Sequence, residues 1–269
     1  LLDIYDEFIR FKHHPFIADI IKGGKVIEQG ARTVSTGGYF SMPKLAIDGA
    51  MFIGGAASMQ NSPGLKGVHL SMKSGMLAAE ACIHALEKEN FNAYSLGCYS
   101  ELFEQSWAKT EMYEGRNFAQ ALAKKSPLKF IYLSAQYFSN GKGVRDFMPL
   151  FDDSGTLTPA SQNTAQPLPP KDAYDGTLYA DKLTGVYLSK TMHREDQPSH
   201  IVIRDTDICV SKCYGIYQSP CTRFCPGNVY EIVEDEKTQE RRLKLNPSIF
   251  FHCKTCTIRT PIRISLGPV

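Results

Sequence analysis

The chain has 269 residues, of which 43% are hydrophobic, and a formal net charge of +2. This length suffices for one large domain or two modest ones, and the spread of Lys and Arg along the chain argues against a nucleic-acid partner. No apolar run reaches the roughly 20 residues of a membrane-spanning helix, so any membrane contact would be made at the surface. Because the sequence begins at Leu1 rather than Met, we expect a processed chain or part of a longer one.

The first predicted element is a helix at residues 4–21 that Pro15 interrupts, because apolar residues recur there with a helical period. His13 and His14 lie directly before this proline. Paired histidines can form a metal or proton-transfer site, but the terminator residues around them favour a helix end.

A small antiparallel sheet is predicted next, with short strands at residues 26–27 and 32–34 between glycine pairs. Residues 50–53 then form a short apolar run bounded by glycines, as in a strand buried within a parallel sheet. After a glycine-containing loop, a long helix is predicted at residues 68–87. A strand, a glycine turn and a helix N-terminus can cradle an anion or a dinucleotide, although an ordinary βα unit fits these residues equally well.

The middle of the chain predicts further helices and then a long connection. A second helical region is expected at residues 94–122, with Trp107 on its apolar side. Residues 127–138 are apolar, aromatic and flanked by lysines, which fits either a core helix or a helix lying in a membrane interface. Residues 151–190 interleave Pro, Ser, Thr, Asp and Gly and indicate a surface segment that wraps the domain.

The cysteines concentrate near the C-terminal end: six of the eight lie in the last quarter, which favours a metal site over a set of disulfides. Clusters of the ferredoxin type are held by a C-x2-C-x2-C run and a remote Cys followed by Pro. Cys225 precedes a proline, and Cys253 and Cys256 supply the last two positions of the run, but Phe250 stands at its first position. A phenyl ring cannot ligate iron. Cys221 could substitute if its geometry were suitable.

Strands surround this cysteine pattern. A C-x2-C pair alone is more often a buried pair or a zinc half-site, but the upstream Cys-Pro and the neighbouring strands favour a cluster-type fold. Strands are predicted at residues 201–205, 228–233 and 243–245. The last two, around a cysteine loop, indicate a ferredoxin-like unit.

Many ordered motifs along the chain carry a resemblance to a known family. They lie at residues 11–15, 23–25, 30–32, 37–45, 66–67, 69, 72–80, 196–198, 223–226, 229–231 and 252–256. Here the chain closely resembles the C-terminal half of electron transfer flavoprotein:ubiquinone oxidoreductase. That enzyme lies on the matrix face of the inner mitochondrial membrane and passes electrons from reduced electron transfer flavoprotein through FAD and a 4Fe–4S cluster to ubiquinone.

The resemblance implies an α+β fold in three parts. Residues 1–47 would be the end of a quinone-binding region, and residues 48–150 the end of an FAD-binding α/β domain. Residues 151–269 would form a ferredoxin-like 4Fe–4S domain with its long wrapping linker. Residues 127–138 match a part that lies against the membrane, which favours the interface over the core for that segment.

The resemblance also implies site residues, although it assigns no catalytic side chain. The implied FAD-binding residues are Gly54, Gly55, Asn61, Gly67 and His69. The implied cluster ligands are Cys225, Cys253 and Cys256.

Three departures weaken the transfer of function. The chain lacks the G-x-G-x-x-G turn that cradles the FAD pyrophosphate. At Gly55 and Ser58 the family usually carries a Cys or other polar residue and a Gly. Phe250 stands in place of a cluster thiolate.

We therefore expect a catalytically degenerate, accessory subunit of a respiratory complex on the matrix side of the mitochondrial inner membrane, in contact with other subunits. Its cofactors would be absent, or limited to a cluster with an incomplete ligand set and an FAD shared with a missing N-terminal half. The alternative is one half of a split, active enzyme that still binds ubiquinone. A narrower alternative is an iron-binding or electron-relay module that uses Cys221 as a fourth ligand.

Overall fold

A computed structural model of the chain describes residues 3–124, 126–142, 147–150, 153–162, 174–194, 196–199, 201–203 and 205–260. Helices and strands are both present, which confirms the mixed α and β content. The chain divides into two compact units. We call residues 1–33 together with 152–269 the terminal unit, and residues 34–151 the central unit.

The terminal unit begins with two helices, α1 (Ile4–Lys12) and α2 (Pro15–Ile21). The Asp3 carboxylate caps α1 by accepting the Tyr5 N–H at 2.8 Å. His13 closes α1, and its ring stacks on Tyr179 with the centroids 3.9 Å apart. The prediction that the histidine pair marks a helix end is confirmed.

The predicted sheet at residues 26–27 and 32–34 is wrong, because residues 22–38 contain no strand. The first strands are β1 (Ala46–Ile47) and β2 (Ala50–Met51), which pair antiparallel. Gly49 has φ +71° in the turn between them, and a turn this tight can join only antiparallel neighbours. The buried parallel strand predicted at residues 50–53 is therefore also wrong.

The central unit is otherwise helical. The helix predicted at residues 68–87 is confirmed as α3 (Val68–Glu87). The second helical region is divided into short helices, because Gly97, Gly115 and Asn117, with φ +65° at Asn117, interrupt it. These helices are α4 (Ala93–Leu96), α5 (Cys98–Glu104), α6 (Trp107–Glu114) and α7 (Phe118–Leu122), and α8 (Lys129–Phe138) follows them.

The core of the central unit lies between α3 and the short helices. Tyr99 and Phe103 of α5 are fully buried against Leu70 and Leu77 of α3, together with Met112 of α6. Trp107 was expected on the apolar side of this region. Its side chain is half exposed, so that expectation is wrong.

The remainder of the terminal unit is built around one hairpin. Its helices are α9 (Lys182–Leu188), α10 (Tyr214–Tyr217), α11 (Cys221–Phe224) and α12 (Thr255–Arg259). Strands β3 (Tyr230–Glu234) and β4 (Arg241–Leu245) pair antiparallel, with Tyr230 opposite Leu245. This pairing confirms the two predicted strands beside the cysteine loop.

Two further predictions for this part of the chain are not confirmed. Residues 201–203 are not in a strand, so the strand predicted there is wrong, and Arg204 lies outside the described residues. Much of the predicted wrapping segment, residues 163–173, also lies outside them. Within the unit, the Tyr5 hydroxyl donates to the Ala180 carbonyl at 2.9 Å, which ties α1 to the segment before α9.

Candidate functional site

The three predicted cluster cysteines face one small cavity in the terminal unit. Cys225 follows α11, Cys253 lies in the loop before α12, and Cys256 lies in the first turn of α12. The cavity measures about 10 Å³, which is room for about one water molecule. Its lining consists of Phe224, Cys225, Pro226, Tyr230, Phe250, Phe251, Cys253, Thr255 and Cys256.

The loop that carries Cys253 has an unusual backbone. His252 and Lys254 have φ of +51° and +66°, in the left-handed region that only glycine adopts freely. Residues held there without being glycine cost on the order of 1–3 kcal/mol each and cluster at functional sites. Thr33 secures the loop, because its N–H donates to the Cys253 carbonyl at 3.2 Å and its hydroxyl lies 2.7 Å from that of Thr255.

The thiols are packed as part of an apolar core. Cys225, Cys256 and Tyr230 belong to one buried hydrophobic cluster. Burial raises the pKa of the Cys225 thiol, although its Sγ accepts the Val229 N–H at 3.5 Å. Burial also raises the pKa of Tyr230, beside Cys256. At neutral pH the Cys225 thiol is therefore protonated and behaves as a small apolar side chain.

Phe250 belongs to the same buried cluster, and only 6% of it is exposed. Its ring lies edge-on to His252, with the centroids 4.6 Å apart, and its carbonyl oxygen lies 2.8 Å from His193 Nε2. Within the described ranges, no three His, Cys, Asp or Glu side chains are arranged to hold a metal ion. The residues as placed, three thiols and a phenyl ring around a minimal cavity, do not fit a four-thiolate cluster.

Cys221 lies one helical turn before Cys225 and is buried, but it does not line the cavity. Burial, with smaller contributions from the Cys213 and Cys209 thiols, raises the pKa of Cys221 to about 12. A neutral, buried thiol would have to move and lose its proton before it could ligate iron. Cys221 therefore belongs to the same buried cluster as Cys225 and Cys256, but its side chain does not reach the cavity that the three predicted ligands share.

The glycine turn predicted to bind FAD lies against α3 in the central unit. Gly54 has φ +54°, its N–H donates to Ser74 Oγ at 2.9 Å, and a Cβ there would lie 2.7 Å from Ser71 Oγ. At Gly55 no atom would lie within 4 Å of such a Cβ, so a ligand could approach the backbone there. Ser58 has φ +57°, a conformation that favours glycine.

Asn61 and His69 meet at a residue that the sequence reasoning missed, Glu111 of α6. His69 Nε2 lies 2.9 and 3.0 Å from the two Glu111 oxygens, and Asn61 Nδ2 donates to Oε1 at 2.5 Å. The rings of His69 and Trp107 are parallel, with the centroids 5.8 Å apart. The spacing of four residues places Trp107 and Glu111 on one face of α6, but no local pattern in the sequence brings His69 to that face.

Gly67, the last of the predicted residues, immediately precedes α3, and a Cβ there would lie 3.3 Å from the side chain of Gln60 and the carbonyl of Met59. The structure thus gathers Asn61 and His69 at the start of α3. Gly54 packs against the helix further along, at Ser71 and Ser74.

The Glu111 carboxylate is stabilised in its charged form. Burial raises its pKa, but the hydrogen bonds from Asn61 and His69 and the charges of His69 and Lys66 outweigh that effect, so the pKa is lowered. A group with a lowered pKa stabilises the fold above its ordinary pKa of 4.5 and loses that contribution as the pH falls through the folded value.

Replacing Glu111 by Gln should therefore destabilise the central unit by about 1 kcal/mol at neutral pH. We expect the difference from the wild type to shrink as the pH falls below 4.5 and through the lowered pKa of Glu111 in the folded chain. Urea unfolding followed by Trp107 fluorescence measures this difference in stability, since Trp107 is the single Trp of the chain and its ring stacks on that of His69. Glu101→Gln on exposed α5 surface is the control, and a difference that stayed constant with pH would contradict the electrostatic assignment.

Comparison with known proteins shows what the regions around these sites are similar to. The model of the "Electron transfer flavoprotein-ubiquinone oxidoreductase, 4Fe-4S" family matches residues 176–265, which include the three cavity cysteines and Phe250. Electron transfer flavoprotein-ubiquinone oxidoreductase of Pseudomonas aeruginosa is 35% identical over 263 residues, 97% of this chain and 47% of the relative. The mitochondrial protein of that name from Homo sapiens is 37% identical over 267 residues, covering 97% of this chain and 43% of the relative.

The chain is a relative of the C-terminal portion of electron transfer flavoprotein-ubiquinone oxidoreductases. It spans less than half the length of the curated relatives it matches. The cavity with Cys225, Cys253, Cys256 and Phe250 lies in the region similar to the family's 4Fe–4S domain. The Glu111 and His69 pair lies outside that region.

Proposed function

We propose that this chain is a catalytically degenerate relative of electron transfer flavoprotein-ubiquinone oxidoreductase that acts as an accessory, structural subunit of a mitochondrial inner-membrane respiratory complex. Phe250 is the observation that carries the proposal. A ring that cannot ligate iron stands at the position of a cluster thiolate and fills the space beside the three cysteines. An iron–sulfur site that has become apolar core keeps the fold while giving up electron transfer.

The proposed location at the matrix face of the inner membrane has two supports. Relatives from Homo sapiens and Bos taurus carry the word mitochondrial in their names. In the central unit, α8 presents large apolar side chains to the solvent, among them Phe130, Ile131 and Phe138. In the described part of the chain, no helix is long and apolar enough to cross a membrane. Contact through residues 127–138 would therefore be made at the membrane surface.

A second candidate is one half of a split, active enzyme that binds FAD together with another polypeptide and reduces ubiquinone. A cleft of about 760 Å³ in the terminal unit favours it. Apolar side chains of α1 and α2, such as Phe8, Phe11 and Ile20, line this cleft, and Lys12 and Lys25 also line it. A large apolar cleft with a few polar groups is the kind of site that holds a quinone.

The content of iron, flavin and quinone per chain in isolated native material distinguishes the two. The structural role predicts near zero iron and flavin, because one thiolate of the cluster pattern is replaced by Phe250 and the cavity admits about one water molecule. About four irons and one FAD per chain would contradict the structural proposal and support the split enzyme. Three irons without flavin would instead favour an iron relay that uses an additional ligand.

A further inference from the structure

Three cysteines of the terminal unit lie outside the cluster pattern, namely Cys209, Cys213 and Cys221, and each is a free thiol. Cys209 and Cys213 are the ends of a π-helical stretch (Cys209–Cys213) that continues directly into α10. Residues four apart in a helical segment lie on one side of it. Cys221 is the first residue of α11. Within the described residues these thiols are not arranged around a metal position, which leaves the chemistry of a thiol pair.

A tight turn brings Cys221 back beside the helical segment. Gln218 and Ser219, which follow α10, have φ of +53° and +48°, and two successive left-handed residues reverse the chain. The Ser219 hydroxyl then donates to the Cys209 carbonyl at 3.4 Å, and only 2% of Ser219 is exposed. The chain after the turn therefore lies against the segment that carries Cys209 and Cys213, and Cys221 follows two residues later.

Burial and direction distinguish the three thiols. Cys213 and Cys221 are each 6% exposed, whereas Cys209 is half-buried. The Cys209 thiol points back along its own segment, where its Sγ donates to the Asp205 carbonyl at 3.9 Å. Burial raises the pKa of Cys221, and among the neighbouring thiols Cys213 raises it more than Cys209 does, as expected for the nearer group. Cys213 and Cys221 are therefore the close, buried pair.

We propose that Cys213 and Cys221 form a disulfide in the native protein. The reaction needs an oxidant, and a small-molecule disulfide such as glutathione disulfide suffices. One protein thiolate attacks the oxidant and releases one small thiol, and the second protein thiolate then attacks the mixed disulfide and releases the other. Two protein thiols are thereby oxidised to one S–S bond, while the oxidant is reduced to two thiols that take up the two protons.

The bond would have two consequences for the terminal unit. It would close the short loop between α10 and α11, and so restrain the end of α11, where Cys225 lies. It would also occupy Cys221, which then cannot serve as a substitute iron ligand. Because both sulfurs are buried, small thiols reach the bond poorly, and it can persist where an exposed disulfide is reduced.

A peptide map of native material tests the proposal. Trypsin, which cleaves after Lys and Arg, releases residues 213–223 as one peptide that contains Cys213 and Cys221 and no other cysteine. The material is denatured in acid, and free thiols are blocked with a maleimide before digestion. We expect this peptide to be predominantly unblocked and lighter by two hydrogen atoms than its reduced form, with Cys209 blocked on its own peptide. Predominant blocking of Cys213 and Cys221, or a bond from either to another cysteine, would overturn the proposal.

This map is independent of the proposed structural function, because the peptide contains none of the three cavity cysteines. Iron content decides the function, and the state of residues 213–223 decides the bond. The two proposals therefore fail separately.

Urea unfolding of the isolated chain gives a second measurement. After oxidation by glutathione disulfide, the wild type should unfold at a urea midpoint at least roughly 0.5 M higher than after reduction, because the bond restricts the unfolded chain. Cys221→Ala replaces a small buried thiol by a small apolar side chain, and reduction should leave its midpoint unchanged. Cys213→Ala should behave in the same way, and Cys209→Ala should keep the wild-type difference. A wild-type midpoint that does not depend on reduction would contradict the proposal.

Discussion

Replacing Phe250 by Cys should give the chain the capacity to bind a 4Fe–4S cluster. The substitution completes the C-x2-C-x2-C run with Cys253 and Cys256, and it removes the ring from the cavity that these residues share with Cys225. After anaerobic reconstitution with iron and sulfide, we expect about four irons per chain and a paramagnetic signal on reduction. The wild type treated in parallel should retain fewer than one.

The same substitution should lower the free energy of unfolding of the iron-free chain, because removing the buried ring leaves a cavity that costs on the order of 3 kcal/mol. Iron should restore that stability, since metal binding adds to the free energy of unfolding. Phe251→Cys is the matched control: Phe251 lines the same cavity, but a thiol there has the wrong spacing. Four irons in the wild type, or no gain of iron in Phe250→Cys, would show that Phe250 does not decide occupancy.

Replacing Ile131 and Phe138 by Asp should abolish binding of the chain to lipid vesicles. These side chains are 68% and 85% exposed on α8, and each large apolar side chain buried in an apolar phase contributes about 1.5–3 kcal/mol. Losing both should weaken binding on the order of a hundredfold or more, since each 1.4 kcal/mol is a factor of ten. Co-flotation with vesicles of phosphatidylcholine and an anionic lipid measures the change.

Tyr94→Asp is the control for this experiment, because Tyr94 is an exposed aromatic residue on α4 in the same unit. Leu133 is unsuitable, although it lies on α8, because its side chain is buried and an Asp there would disturb packing instead. Vesicle binding that survives the double substitution would assign the exposed face of α8 to a protein partner.

The elements that depend on neighbouring residues could be predicted from the sequence. Helix α3, the hairpin of β3 and β4, and the helix end at His13 follow from local apolar period and turn residues. The prediction of a buried strand at residues 50–53 was wrong because it assumed parallel neighbouring strands. The tight turn at Gly49 instead pairs these residues with β1.

Of the two candidate sites, one could be predicted from the sequence and the other could not. The spacing of Cys225, Cys253 and Cys256 and the presence of Phe250 are properties of the sequence, and they point to a cluster position with one ligand replaced. That Glu111 meets His69 could not be read from the sequence with the same ease, since 42 residues separate them.

The sequence by itself determined the family relationship, the cysteine pattern with its missing thiolate, the bounds of α3 and the helix end at His13, because these depend on residue identity and on contacts close in the chain. Only the tertiary structure decided that Phe250 is buried in the same core as the cysteines, that Glu111 holds His69, and that α8 exposes an apolar face. Burial and pairing depend on residues far apart in the chain, which local patterns do not specify.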